Sequence, residues 1–232
     1  MKIPQFAMIG LFSLAATVSA IAGSKTTVSE KVNPKVIKTD PYRFNGVVLT
    51  AEARGSGFCA GDSRLFFSAA HVVFDPTGWG PPPIWHAQVN AETTDDSKGI
   101  TARGYLRWAN YADLVTSTDS DDPPAFSRDV MLGFAFRDLI KGKPARINFD
   151  GKSDLQDGAR SMITGYPAKN PYLEKNIEGY FMHRTEPKQT KFKTYSGNAI
   201  QATLITTGPG NSGGPVWTGS NKTGWKAAGV LV

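Results

Sequence analysis

Short apolar runs, each closed by glycine, proline, asparagine or aspartate, constrain most strongly what this chain can fold into. They are GVVLTA (46–51), GSGFCAG (55–61), RLFFSAAH (64–71), IWHAQVNA (84–91), ITARGYLRWA (100–109) and DVMLGFAF (129–136). A second set follows: ARINF (145–149), SMITGYP (161–167), GYFMHRTE (179–186), FKTYSGNAIQATLITT (192–207), GGPVWTG (213–219) and WKAAGVLV (225–232). Turn-forming residues crowd the connections, and no segment sustains a 3.6-residue apolar period. Many short strands with almost no helix predict an all-β protein, as a sandwich or barrel. Six runs followed by six more predict two antiparallel β-barrels, over 43–136 and 145–232, with Arg137–Ala145 as the bridge.

The N-terminus reads differently. Met1 and Lys2 give a positive start, Phe6–Thr17 is an apolar run too short to span a membrane, and small residues follow. Residues 1–22 are expected to be a signal peptide, cleaved after Ala20 or Ala22, which places the protein in the periplasm or outside the cell. Residues 23–42 are polar and interrupted by Pro34 and Pro41, so they are expected to form an extended arm or a propeptide. No later segment is apolar for long enough to span a membrane, so no membrane contact is expected after signal removal. The net charge of +6 is scattered, without a basic helix or a nucleic-acid motif, and predicts a solvated basic surface. The single cysteine, Cys59, cannot form an internal disulfide, so stability must come from the core.

Two stretches carry chemistry. GPGNSGGPVW (208–217) places Ser212 among glycines, and FFSAAHVV (66–73) places His71 after small residues. A serine hydroxyl is a poor nucleophile until a base takes its proton. A histidine can do so near neutral pH if a carboxylate fixes its tautomer. Asp129 opens the strongly apolar run DVML and is the candidate carboxylate. The aspartates at 119, 121 and 122 lie in a proline-rich loop and are expected to be solvated; their spacing lacks the alternation of a calcium loop, so no metal and no cofactor are expected. His86 and His183 lie within strand-like runs and are expected to be structural. An oxyanion needs two converging backbone N–H groups, which Gly210 and Ser212 can supply.

SAAHVV, DVML and GPGNSGGPV, in the order His, Asp, Ser, resemble the trypsin/chymotrypsin-fold serine peptidases, in a bacterial HtrA-like or glutamyl-endopeptidase-like form. GSGFCAG and ITGYP (163–167) resemble further elements of that family, and the resemblance spans about residues 43–232. It implies two six-stranded barrels with the active site in the cleft between them. It also implies an exported serine endopeptidase acting on polypeptides through an acyl-enzyme, with His71 as base, Asp129 as orienting carboxylate and Ser212 as nucleophile. The alternative is a binding or adhesion protein that reuses the fold without turnover.

Several departures from the family pattern carry their own implications. Val72 follows the histidine where animal members have cysteine, so Cys59 is expected to be a free, buried thiol. Asn211 stands where animal members carry aspartate, so activation by N-terminal insertion is not expected. By resemblance Thr206, Thr207 and Gly208 line the specificity pocket, and their neutrality implies a small or apolar residue at the cleavage site. The resemblance also leads one to expect a further C-terminal element, so the end at Val232 implies a fragment or a short pocket wall; no PDZ-like extension follows.

Overall fold

The computed structural model describes residues 29–75, 78–117, 123–168, 179–202 and 207–232. The expected signal peptide, Thr206 and the aspartates of the 119–122 loop lie outside the described residues. Every one of the apolar runs contains strand. Most of them assemble into two seven-stranded sheets rather than six-stranded ones, the additional members being pieces of two or three residues, while Lys193–Ser196 pairs only with Ala199–Gln201 and Tyr180–Phe181 with Asn90–Ala91.

The first sheet orders its strands Gly104–Arg107, Met131–Phe134, Leu65–Ser68, Arg54–Cys59, Asn45–Leu49, Ile84–Ala87 and Ile100–Thr101, all antiparallel. The run expected as a single strand over 100–109 serves both edges of this sheet. Ile100–Thr101 pairs with Ile84–Trp85, the chain turns at Ala102, and Gly104–Arg107 pairs with Met131–Phe134. That crossing curls the sheet into a barrel and covers its edges, as closure of a β-sheet does.

The second sheet orders Ser29–Lys31, His183–Thr185, Arg160–Gly165, Pro215–Ser220, Gly224–Val230 and Arg146–Ile147, with Lys188–Gln189 beside Arg160–Ser161. The pairing of Arg146–Ile147 with Gly224–Val230 is parallel, and the other pairings of this sheet among the described residues are antiparallel. From Ser29 onward the expected arm is packed structure. Ser29–Lys31 pairs with His183–Thr185, the Val32 N–H donates to the Met182 carbonyl at 2.8 Å, and Val32 and Ile37 are buried. Short helices at Tyr111–Ser117, Pro123–Phe126 and Gly151–Gln156 interrupt the strands. Among the described residues, no helix is long and apolar enough to cross a membrane.

One apolar core runs through both sheets. Trp85 packs on Phe66 inside the first, with ring centroids 5.2 Å apart. Trp217 of the second sheet lies 6.0 Å from Phe44 and 5.9 Å from Phe58, both of the first barrel. A buried polar chain crosses the same junction. The indole N–H of Trp217 donates to the Thr164 hydroxyl at 2.8 Å, and that hydroxyl donates to Asn45 Oδ1 at 2.6 Å. The Asn45 amide donates onward to the carbonyls of Pro41 and Tyr42, each at 3.1 Å. Cys59 is free and buried, and burial pushes its thiol pKa up to about 12, which keeps it protonated and unreactive.

Thr164→Val keeps the volume but leaves the Trp217 N–H and the Asn45 oxygen unsatisfied in the core. A loss of about 2–4 kcal/mol is expected, from two buried groups at roughly 1–3 kcal/mol each with partial relaxation. Denaturant unfolding of the variant against the parent measures it, and an unchanged midpoint would contradict the structural role given to this hydroxyl.

Candidate active site

Strand register brings His71 and Asp129 together. Leu65–Ser68 pairs antiparallel with Met131–Phe134, with Ser68 opposite Met131. Continuing that register by two residues sets Asp129 beside Ala70, next to His71, which sits in the 3-10 turn Ala70–Val72. Two hydrogen bonds fix the pair. The His71 backbone N–H donates to Asp129 Oδ1 at 2.9 Å, and His71 Nδ1 meets Asp129 Oδ2 at 2.6 Å. A carboxylate only accepts, so Nδ1 carries the proton and Nε2 keeps its lone pair.

The Asp129 side chain is only 5% exposed, whereas that of His71 is 36% exposed. A buried carboxylate is costly unless it is paired, and His71 supplies both donors named above. Tyr111 closes the site from behind. It is buried and its ring stacks edge-on to Phe74 at 5.6 Å. Burial first, and then the adjoining Asp129 carboxylate, push its hydroxyl far above the ordinary phenol range, so it faces Asp129 as a neutral group. For His71, burial opposes protonation, but the charge and hydrogen bond of Asp129 outweigh it, and the ring's pKa is raised above the ordinary 6.5.

The Ser212 turn comes from the second sheet and docks on the His71 turn. The Ser212 carbonyl accepts the Ser56 N–H at 2.7 Å. A Cβ at Gly55 would stand 3.1 Å from the Ser212 carbonyl oxygen and 2.5 Å from the Val72 side chain. Gly213, at φ +86°, approaches so closely that a Cβ would lie 2.1 Å from the Ser56 carbonyl oxygen and 2.9 Å from the Ala69 nitrogen. Only glycine fits there. The Ser212 hydroxyl makes no hydrogen bond among the described residues. Catalytic hydrogen bonds are often long in free enzymes and tighten in the substrate complex.

Peptide planes around Ser212 point their N–H groups in alternate directions. In a trans peptide the C=O and N–H point opposite ways. The Pro209 carbonyl accepts from Ala168 N–H at 2.6 Å, and the Asn211 carbonyl accepts from Gly214 N–H at 2.8 Å. The N–H groups of Gly210 and Ser212 therefore turn away from those partners, and neither donates to any acceptor among the described residues. Between and beyond them, Asn211 N–H donates to the Gly208 carbonyl at 3.0 Å and Gly213 N–H to the Leu231 carbonyl at 2.7 Å. Two free donors flanking a bound one, at a half-buried serine, suit a developing oxyanion.

The other sequence candidates lie apart from this pair of turns or at its rim. His86 is buried in the strand Ile84–Ala87 and its pKa is lowered by that burial. His183 pairs across the sheet with Lys31, and burial followed by the Lys31 charge lowers its pKa. Thr207 and Gly208 enter the Ser212 turn half-exposed, and Thr207 shares a narrow crevice with Asn211, His183 and Ser29. Asn211 is buried. Among the described residues, no cluster of histidine, cysteine, aspartate or glutamate could hold a metal ion. Two residues take their place at the site only through the fold: Tyr111, behind Asp129, and, beneath the Ser212 turn, Ser56, which the sequence shows only as part of the run GSGFCAG.

The fold is that of the trypsin-like proteases. It is similar to a Glu endopeptidase solved in complex with MPD, at TM-score 0.59 and 14% identity over 88% of this chain and 92% of that one. It is also similar to the protease Anisep from Arthrobacter nicotinovorans, at TM-score 0.52 and 14% identity over 87% and 82% of the two chains. A thermostable serine protease from an extremophilic microorganism matches at TM-score 0.52 and 17% identity over 78% and 81%. The family model of the trypsin-like peptidase domain matches residues 55–223, and the chain belongs to that family, as a serine-type peptidase. No curated protein matches the chain.

In a Ser212→Ala background, an NMR titration of the His71 ring should have its midpoint above the ordinary 6.5. Adding Asp129→Asn removes both raising influences and leaves burial, so the midpoint should fall below the ordinary value. A midpoint unmoved by the second substitution would contradict the coupling of the pair.

Proposed function

We propose that the chain is an exported serine endopeptidase that cleaves polypeptides through an acyl-enzyme, with Ser212 as nucleophile, His71 as base and Asp129 as orienting carboxylate. The observation that carries this reading is the doubly hydrogen-bonded His71–Asp129 pair facing a glycine turn with two free N–H donors. In the first step His71 Nε2 takes the proton of the Ser212 hydroxyl as Oγ attacks the scissile carbonyl carbon. The carbonyl π electrons move to oxygen, and the oxyanion accepts from the N–H groups of Gly210 and Ser212. Collapse of the tetrahedral intermediate expels the amine, which takes the proton from His71 Nε2. Water then attacks the acyl-enzyme by the same route and regenerates the Ser212 hydroxyl. Asp129 stays ionised throughout, holding Nδ1–H and stabilising the imidazolium.

Export rests on the sequence of residues 1–22. For specificity, Thr206, Thr207 and Gly208 carry no charge, which favours a small or apolar side chain at the cleavage site.

A fluorophosphonate probe is expected to label the wild-type protein at Ser212 and to leave Ser212→Ala unlabelled; a folded wild type that resists the probe would end this reading. Asp129→Asn should lower kcat by about 10⁴-fold, because the ring then presents the wrong tautomer. The base must be neutral to act and its pKa is raised, so the acid limb of kcat/KM should lie above the ordinary imidazole value of 6.5. A limb at or below that value would contradict His71 as the base in this setting.

A further inference from the structure

The Ser212 turn is held from below by one side chain of the other sheet. Ser56 lies in the middle of the strand Arg54–Cys59 and is fully buried. Its backbone N–H donates to the Ser212 carbonyl at 2.7 Å. Its hydroxyl donates to the Gly210 carbonyl at 2.7 Å and accepts the Tyr166 N–H at 2.7 Å. Its own carbonyl accepts the Ser68 hydroxyl at 2.7 Å, so the gripping residue is itself gripped. A buried serine is costly unless fully paired, and every polar atom of Ser56 is paired.

The four peptide planes from Pro209 to Gly213 divide into two sets. The planes Pro209–Gly210 and Asn211–Ser212 carry the two free N–H groups. The planes Gly210–Asn211 and Ser212–Gly213 alternate with them, and Ser56 holds the carbonyl of each. The Gly210 backbone is a glycine at φ +87°, with no side chain to limit its rotation. What limits it is the pair of bonds on either side: Ala168 on the Pro209 carbonyl and the Ser56 hydroxyl on its own carbonyl.

We propose that Ser56 is a positioning residue for the oxyanion site, its hydroxyl fixing the Gly210–Asn211 peptide so that the Gly210 and Ser212 N–H groups stay converged before substrate arrives. The proposal rests on the peptidase reading above and adds to it. Ser56 touches neither substrate nor the reacting atoms. Its contribution is preorganisation, which acts on the charge that develops in the transition state more than on ground-state binding.

The test is Ser56→Ala in the full chain, assayed with a fluorogenic peptide cleaved by wild type and with benzeneboronic acid, whose serine adduct is tetrahedral. Removing one oxyanion donor outright typically lowers kcat by about 10²–10³, so loosening a donor should lower it by about 10-fold. KM should stay within about twofold, and the inhibition constant for benzeneboronic acid should rise in parallel with the fall in kcat. Thr185→Val serves as the structural control. It removes a buried hydroxyl that accepts the Ile163 N–H at 2.9 Å in the second sheet, and it should lower thermal stability without this split. If Ser56→Ala does not fold, Ser56→Cys, nearly isosteric and a weak donor, should show the same split. A folded Ser56 variant with wild-type kcat and boronate affinity would overturn the proposal. A wild type that neither cleaves peptide nor reacts with fluorophosphonate would instead overturn the peptidase reading, so the two failures are distinguishable.

Discussion

The candidate site depends on two curled sheets being docked in one fixed relation, because neither sheet contains it alone. His71 and Asp129 belong to the first sheet and the Ser212 turn to the second. Apolar contact between Trp217, Phe44 and Phe58 supplies attraction but little direction. Direction comes from the buried hydrogen bonds that cross the junction: Trp217 to Thr164 to Asn45 on one side, and Ser56 to the Ser212 turn on the other. A sliding of one sheet past the other by a fraction of a side chain would leave these groups unpaired, each costing about 1–3 kcal/mol. The polar junction therefore selects one docking among many that would bury similar apolar area.

The same logic operates at the level of single peptide planes. A glycine-rich turn is flexible by composition, and the chain from Gly208 to Gly214 would be a poor scaffold on its own. Here it is held by partners from several distant segments: Ser56, Ala168 and Leu231, with Tyr166 bound to the same Ser56 hydroxyl. Glycine allows the close approach and the positive φ, and the surrounding strands remove the freedom that glycine brings. The N–H groups of Gly210 and Ser212, on either side of Asn211, find no acceptor among the described residues. Preorganised but unsatisfied donors are unusual in a protein interior, where nearly all polar groups are paired. Their half-exposed position at Gly210 and Ser212 leaves them hydratable in the free enzyme.

Much of the fold was legible from local pattern. Runs such as GVVLTA and DVMLGFAF are apolar, β-branched or aromatic and bounded by turn residues, and each became strand. What escaped was whatever depends on long-range pairing. The run 100–109 splits between two sheet edges because barrel closure, not local preference, decides where it bends. Residues 29–42 look polar because Val32, Val36 and Ile37 are scattered among lysines, acidic residues and prolines, yet Val32 and Ile37 are buried in the core. The helix Tyr111–Ser117 is too short for an apolar period to register.

The site shows the same division between residue type and residue surroundings. His71, Asp129 and Ser212 stood out because the chemistry proposed for them needs distinctive neighbours, small residues before the histidine and glycines around the serine. Ser56 and Tyr111 gave no comparable signal; Ser56 also stands between glycines, but within a strand run, and Tyr111 is an aromatic at the start of a helix. Their importance is set by what lies opposite in space, the Gly210 carbonyl in one case and the Asp129 carboxylate in the other. At 14–17% identity the similar proteases share this fold with few matched side chains. A buried hydroxyl that holds a carbonyl can be replaced during divergence by any donor that reaches the same oxygen. A base that must abstract a proton beside a carboxylate has far fewer substitutes. That difference in replaceability accounts for why the groups proposed to react are conspicuous in a single sequence while those proposed to position them become visible only in the folded chain.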